Sequence, residues 1–158
     1  MLLADHERMD RMLAELFEAA QAYEVHPPPS SRRFTMDGPD PVAEEAQSVL
    51  RQKWVMLEES LMNHMAAEEA LLFPVLRQVD MAEALALQGE HQAIRHTFME
   101  IGAGIGLARS PLTHHFAQLL SKHAQRESAL LYAWASAQAP QNITDALRMR
   151  LKRTFVDL

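Results

Sequence analysis

The stretch Trp54-Val-Met-Leu57-Glu-Glu-Ser-Leu61-Met-Asn-His64-Met-Ala-Ala-Glu68-Glu-Ala-Leu71 decides the fold. Its apolar residues return every three or four positions, the period of a helix, where a half-buried strand would alternate by two. At about 100° per residue His64 and Glu68 lie roughly 40° apart, and Leu50, Leu57, Leu61 and Leu71 fall within about 60° of them. An imidazole and a carboxylate therefore share the apolar stripe of one helix. A second stretch, His123-Ala-Gln-Arg-Glu127, repeats the spacing, flanked at helical intervals by Phe116, Leu119, Leu120, Leu130 and Trp134. The third occurrence, His96 and Glu100, lies on about the opposite face from Leu87, Ile94, Phe98, Ile101 and Ile105, and reads as a solvated pair.

Outward from these stretches, proline and glycine divide the chain into helical segments. A first helix is predicted over about Leu2–Val25, its buried stripe formed by Leu2, Met9, Leu13, Leu16, Phe17 and Ala20, with His6 in line. The proline-rich residues 26–41 form a long connection, with Phe34 and Met36 available to pin it, and Asp40-Pro41 opens the second helix. Pro74 kinks or ends that helix. A third is expected over about Met81–Leu107, with glycines near its end and His91 at the edge of its stripe. A fourth starts at Ser110-Pro111 and stops before Pro140. A short C-terminal helix, about 141–157, carries Leu147, Leu151, Phe155 and Leu158 on one face and is either a cover on the bundle end or a homodimer contact. The expected fold is all-α, an up-down-up-down four-helix bundle with a short fifth helix, in one domain over 1–158.

Composition agrees and excludes several function classes. The 158 residues include eight histidines and ten methionines but only five glycines. With 15 basic against 21 acidic residues and a net charge of −6, neither nucleic acid nor an anionic membrane is an expected partner. No cysteine is present, so disulfides, thiolate metal sites and cysteine nucleophiles are excluded, and a metal would have to use histidine and carboxylate. The start, Met1 to Glu7, has neither a basic nor an apolar signal region, and no run approaches the ~18 apolar residues of a membrane span. The expectation is a cytoplasmic protein.

Each predicted bundle helix thus brings a histidine to its inner face: His6, His64, His91 and His123. Folding at a turn near Val79 puts His91 and the His64/Glu68 pair each about 18 Å from the turn. Folding again near Arg109 leaves only ~5 Å between the levels of His91 and the His123/Glu127 pair. One buried histidine is ordinary, but two carboxylates and four imidazoles buried together cost several kcal/mol per unpaired charge unless a cation is present. Six such donors exceed one tetrahedral zinc and suit two transition-metal ions. The Glu-x-x-His pattern of ferritin-like oxidases is absent.

The order His6, His64-x-x-x-Glu68, His91, His123-x-x-x-Glu127, with Asp5-His6 early and Glu68-Glu69-x-x-Leu72-Phe73-Pro74 after the second histidine, resembles the hemerythrin-like (HHE cation-binding) family over nearly the whole chain. The resemblance implies a non-haem di-iron centre, carboxylate- and oxo-bridged, in which Glu68 and Glu127 bridge and His6, His64, His91 and His123 are terminal ligands. Oxygen-carrying members have a further histidine where this chain has Arg95, so the resemblance is to a six-ligand branch with an open iron position. It implies a diatomic ligand, O2 or NO, in sensing, storage or detoxification. A peroxide or NO reductase, an iron-handling or iron-centre repair protein, and an interaction module with a structural metal stay open beside it, and with them whether the protein is an enzyme. Manganese or zinc could replace iron. Around the ligands, Asp10 is a candidate to orient His6 and Trp134 to wall off the site. Glu69 and Glu90 are read as surface residues turned about 100° away, and His26, His114 and His115 as surface histidines.

Overall fold

The computed structural model describes residues 2–25, 41–102 and 111–131, together with 134, 135, 137, 140–143, 145, 146 and 149. Every described element is helical. In chain order they are α1 (Leu2–Val25), α2 (Pro41–Leu71), α3 (Phe73–Val79), α4 (Met81–Ile101) and α5 (Pro111–Arg126), the last running into a π-helical turn, Glu127–Leu131. Residues 134, 135 and 137 are helical again, as are 141–143, 145, 146 and 149. The architecture is an all-α bundle of four long helices with α3 as a short elbow. The expected 26–41 connection up to Asp40, with Phe34 and Met36, lies outside the described residues, as do Ile105, Leu147, Leu151, Phe155 and Leu158.

The breaks have local causes. Pro74 ends α2 as expected: the helix stops at Leu71, Leu72 turns, and Pro74 takes its place in the first turn of α3, where its missing N–H costs nothing. Asp80 separates α3 from α4 with extended backbone, and its carboxylate accepts from the Glu83 N–H at 3.0 Å, an N-cap. The other end of α4 comes earlier than the predicted Leu107. Gly102 adopts φ 71° there, a backbone only glycine takes easily, and its N–H closes onto the Met99 carbonyl.

The core divides into two clusters. The first joins Met9, Leu13, Leu16 and Ala20 of α1 to Leu50, Trp54, Leu57, Leu61 and Met65 of α2, Ile94 and Phe98 of α4, and Phe116 and Leu120 of α5. Trp54 stacks on Phe98 with ring centroids 4.0 Å apart, and Phe98 meets Phe116. The second gathers Ala67, Leu72, Phe73, Leu76, Ala84, Leu87, Leu131 and Ala135, with Trp134 and Ile143 against it. Along α2 the first cluster precedes the second, along α4 the order reverses, and along α5 it reverses again. These three helices therefore run past the two clusters in alternating directions. Between the two clusters, at one level, lie the histidines and glutamates singled out from sequence.

One stretch of the predicted stripe is displaced. Leu130 was expected beside His123 and Glu127, yet it is 50% exposed, while Leu131 is 1% exposed. The π-helical turn spends one extra residue per turn, so Leu131 is rotated inward and Leu130 outward.

Candidate metal centre

Six polar side chains meet in the layer between the clusters. His6, His64, Glu68, His91, His123 and Glu127 are all buried, with His91, Glu68 and Glu127 at 0% exposure. α1 supplies His6, α2 supplies His64 and Glu68 one turn apart, α4 supplies His91, and α5 supplies His123 with Glu127 at the start of the π-helical turn. All six sequence candidates are therefore brought together.

Their ring nitrogens and carboxylate oxygens form two halves. In one, His6 Nε2 and His64 Nε2 are 3.2 Å apart, with Glu127 Oε2 3.1 Å from His6 and Glu68 Oε1 3.3 Å from His64. In the other, His91 Nε2 and His123 Nε2 are 3.1 Å apart. There Glu127 Oε1 is 3.0 Å from His123 and 3.4 Å from His91, and Glu68 Oε2 is 3.5 Å from His91. Each carboxylate thus presents one oxygen to each histidine pair. Two groupings have their donor atoms within 4.8 Å of one another, Glu68, His91, His123 and Glu127 in one and His6, His64 and Glu127 in the other. Donors about 2.1 Å from a common ion stand about 3.0–3.4 Å from their neighbours, the separation found here.

The outer faces of two histidines fix which nitrogen points inward. His91 Nδ1 lies 2.8 Å from Glu69 Oε1, and His123 Nδ1 lies 3.0 Å from Glu90 Oε2. A carboxylate only accepts, so both Nδ1 atoms donate, and in the neutral imidazoles both Nε2 lone pairs face each other across 3.1 Å. Lone pairs so placed, with carboxylate oxygens beside them, repel unless a cation lies among them. Protons supply it when no metal does. Burial pulls the His91 pKa down, but hydrogen bonds and charge from Glu127 and Glu68 outweigh it and push it up to about 9. His123 moves the same way against its burial, through Glu127 and Glu90. Glu127, whose burial alone would raise it, is held well below the usual carboxylate range by His123, His6, His64 and His91.

Glu69 and Glu90 correct the sequence reading, which had them on the surface. The 100° offset from their own helix's stripe is real, but at that angle a side chain faces the neighbouring helix: Glu69 of α2 reaches His91 of α4, and Glu90 of α4 reaches His123 of α5. Each is clamped by arginine. Arg95 donates to Glu69 at 2.8 Å, and Arg126 donates to Glu90 at 2.8 Å and makes a two-pronged pair with Glu83 at 2.7 Å. Arg95 and His91 hold Glu69 below the ordinary carboxylate range despite its partial burial. The signal available in the sequence was adjacency: each glutamate sits next to a site residue, with an arginine within reach on the following helix.

The two weaker candidates, Asp10 and Trp134, lie around the six. Asp10 is exposed, at the mouth of a groove between α1 and α5 lined by His6, Ser121, Ala124, Gln125 and Ser128. Trp134 packs on the second cluster, with a buried indole N–H that finds no hydrogen-bond acceptor among the described residues. It is a core aromatic. His96 and Glu100 are exposed, 3.5 Å apart, as expected, and His114 and His115 are exposed too. Next to the groove, and sharing His6, Asp10 and Ala124 with it, is a small, partly open cavity of about 20 Å³ also bordered by His64, His123, Met65 and Leu120. Among the described residues no helix is long and apolar enough to cross a membrane.

A family model for the Hemerythrin HHE cation binding domain matches residues 1–135. No curated protein and no solved structure gives a match.

Proposed function

The chain belongs to the hemerythrin HHE cation-binding domain family, and from that premise we propose that it is a di-iron protein that takes a diatomic ligand, O2 or NO. The observation that carries this reading is the bridging disposition of Glu68 and Glu127, each with one oxygen toward His6 and His64 or toward His91 and His123. His6 and His64 would hold one ion and His91 and His123 the other, with Glu68 and Glu127 shared between the two pairs. A His and carboxylate donor set with no thiolate suits iron, and manganese and zinc compete for it. Two ions so held would supply one-electron chemistry and an open position for a small ligand.

The surrounding residues support the size of that ligand. The cavity between His6, His64 and His123, about 20 Å³, has room for one water or one diatomic molecule. Leu61, Met65 and Leu120 give it apolar walls, which favour a neutral diatomic over an ion of the same size. His6, Asp10 and Ala124 border both this cavity and the groove beside it, which supports entry of the ligand from that side. Arg95, at the position of the additional histidine in oxygen carriers, is engaged with Glu69, which leaves the His91 and His123 half with two imidazoles. The lack of cysteine suits a reducing compartment, and we place the protein in the cytoplasm.

The test is metal content per chain by elemental analysis after growth in iron-replete medium, with visible spectra before and after reduction and re-exposure to air. About two irons per chain and absorption that bleaches and returns are expected. Glu68→Ala and Glu127→Ala should each abolish the two-ion site. Retention of both ions in either variant would refute the assignment.

A further inference from the structure

His91 and His123 are linked outward by the same device. Each donates Nδ1–H to a glutamate of the preceding long helix, Glu69 at 2.8 Å and Glu90 at 3.0 Å. Each glutamate is in turn held by an arginine of the helix that carries the histidine, Arg95 on α4 and Arg126 on α5. The arrangement is repeated one helix on: α2 to α4, then α4 to α5. Both copies serve the same half of the centre. Both glutamates are aimed at an imidazole nitrogen whose ring partner atom faces the centre.

We propose that Glu69 and Glu90 are positioning residues that set the metal affinity of the His91 and His123 half. The inference rests on the two-ion reading above. A carboxylate accepting from Nδ1 locks the proton there, so the Nε2 lone pair is available to an ion without a tautomer change. It also makes the imidazole a more basic donor and fixes the ring plane. Arg95 and Arg126 hold the two carboxylates in place through their hydrogen bonds. Arg126, forked onto Glu83 with both prongs and donating to Glu90 with Nη1, ties this control to the α4–α5 contact. The half that receives two such backings has its ligand nitrogens preset before any ion arrives.

The experiment is a cobalt(II) titration of the full chain after chelator treatment, followed by the visible ligand-field absorption, with circular dichroism as the check on helicity. Wild type should bind two equivalents. Glu69→Gln and Glu90→Gln keep shape but lose the charge and the fixed acceptor. Each should weaken one of the two equivalents by about 10–100-fold, leave the other at wild-type affinity, and shift the bands of the weakened one only. Arg126→Gln, which touches no proposed ligand, should weaken the same equivalent by a smaller factor, and it keeps the test open if a glutamate variant fails to fold. Variants that bind both equivalents as wild type does, or that lose both together with helicity intact, overturn the positioning role and leave the two-ion centre standing. A wild-type chain that binds fewer than two equivalents overturns the two-ion reading and this inference with it.

Discussion

Chelator-stripped protein should lose stability as the solution is made alkaline, because protons hold the candidate centre together when no metal does. The His91 pKa is raised by Glu127 and Glu68, against its burial, from 6.5 to about 9. A raised folded-state pKa means that the folded chain binds the proton more tightly than the unfolded chain. The stabilisation is therefore complete below pH 6.5 and is lost as the pH climbs through 9. That difference corresponds to about 3 kcal/mol. For a chain of 158 residues, each kcal/mol moves Tm by about 2–4 °C, so the stripped protein should melt about 6–12 °C lower at pH 9.5 than at pH 6.5. His123, raised in the same direction, adds to the trend. The assay is thermal unfolding by circular dichroism across pH 6–10 in the presence of chelator. His91→Gln removes the titrating ring and should flatten the profile. Metal-loaded protein should show the opposite slope over the same range, since ions and protons compete for the same nitrogens. A stripped protein whose Tm is constant or rises between pH 6.5 and 9.5 would falsify the argument that His91 carries the charge balancing the two carboxylates.

Other substitutions test separate parts of the structure. Leu131→Ala should cost about 2–5 kcal/mol in urea unfolding and Leu130→Ala under about 1 kcal/mol, because the π-helical turn buries the first and exposes the second; the reverse order would mean an uninterrupted α-helix. Ala124→Leu fills the cavity beside His6, His64 and His123, so azide or NO binding measured by stopped flow should slow at least tenfold while metal content is unchanged. His96→Ala and Glu100→Ala, on the solvent face of α4, should leave metal content and Tm within experimental scatter of wild type. Phe98→Ala, which removes the stack on Trp54, should cost about 3–5 kcal/mol yet keep both ions at low temperature, since its cluster adjoins the centre without supplying a donor.

The six inward-facing residues were legible because two independent regularities coincide on them. His64 and Glu68, and again His123 and Glu127, keep the helical spacing and lie within an apolar stripe, and the lengths between turns bring His91 to their level. Those are properties of single helices plus chain length. Glu69 and Glu90 are not legible in the sequence because their angle to their own helix's stripe says nothing of the neighbouring helix, where their partners lie. Which flank of α2 lies beside α4 is settled by packing, and no periodicity records it. Asp10 was placed by its one-turn interval from His6, but that interval leaves it at the groove mouth. Leu130 went astray for a third reason: a π-helical turn adds a residue to the backbone without leaving a mark in the residue types. Arg95 stands where the resemblance puts a further histidine, and it donates to Glu69 instead.

The layer of six polar side chains also cuts the interior in two. Met65 is the last residue of α2 in one apolar cluster and Ala67 the first in the other, with Glu68 directly after. No described hydrophobic residue belongs to both clusters, so the two halves communicate through the donors of the centre and the helix backbones. With ions in place that layer is a rivet, and the chain should unfold as one cooperative unit. Stripped at alkaline pH, the same layer becomes a fault plane. Amide hydrogen exchange should then reveal two protection classes, with amides near Leu76, Ala84 and Leu131 opening independently of those near Leu57 and Phe98. Ion binding would in that way convert two small folding units into a single large one, and local opening of the bundle end would report whether the centre is filled.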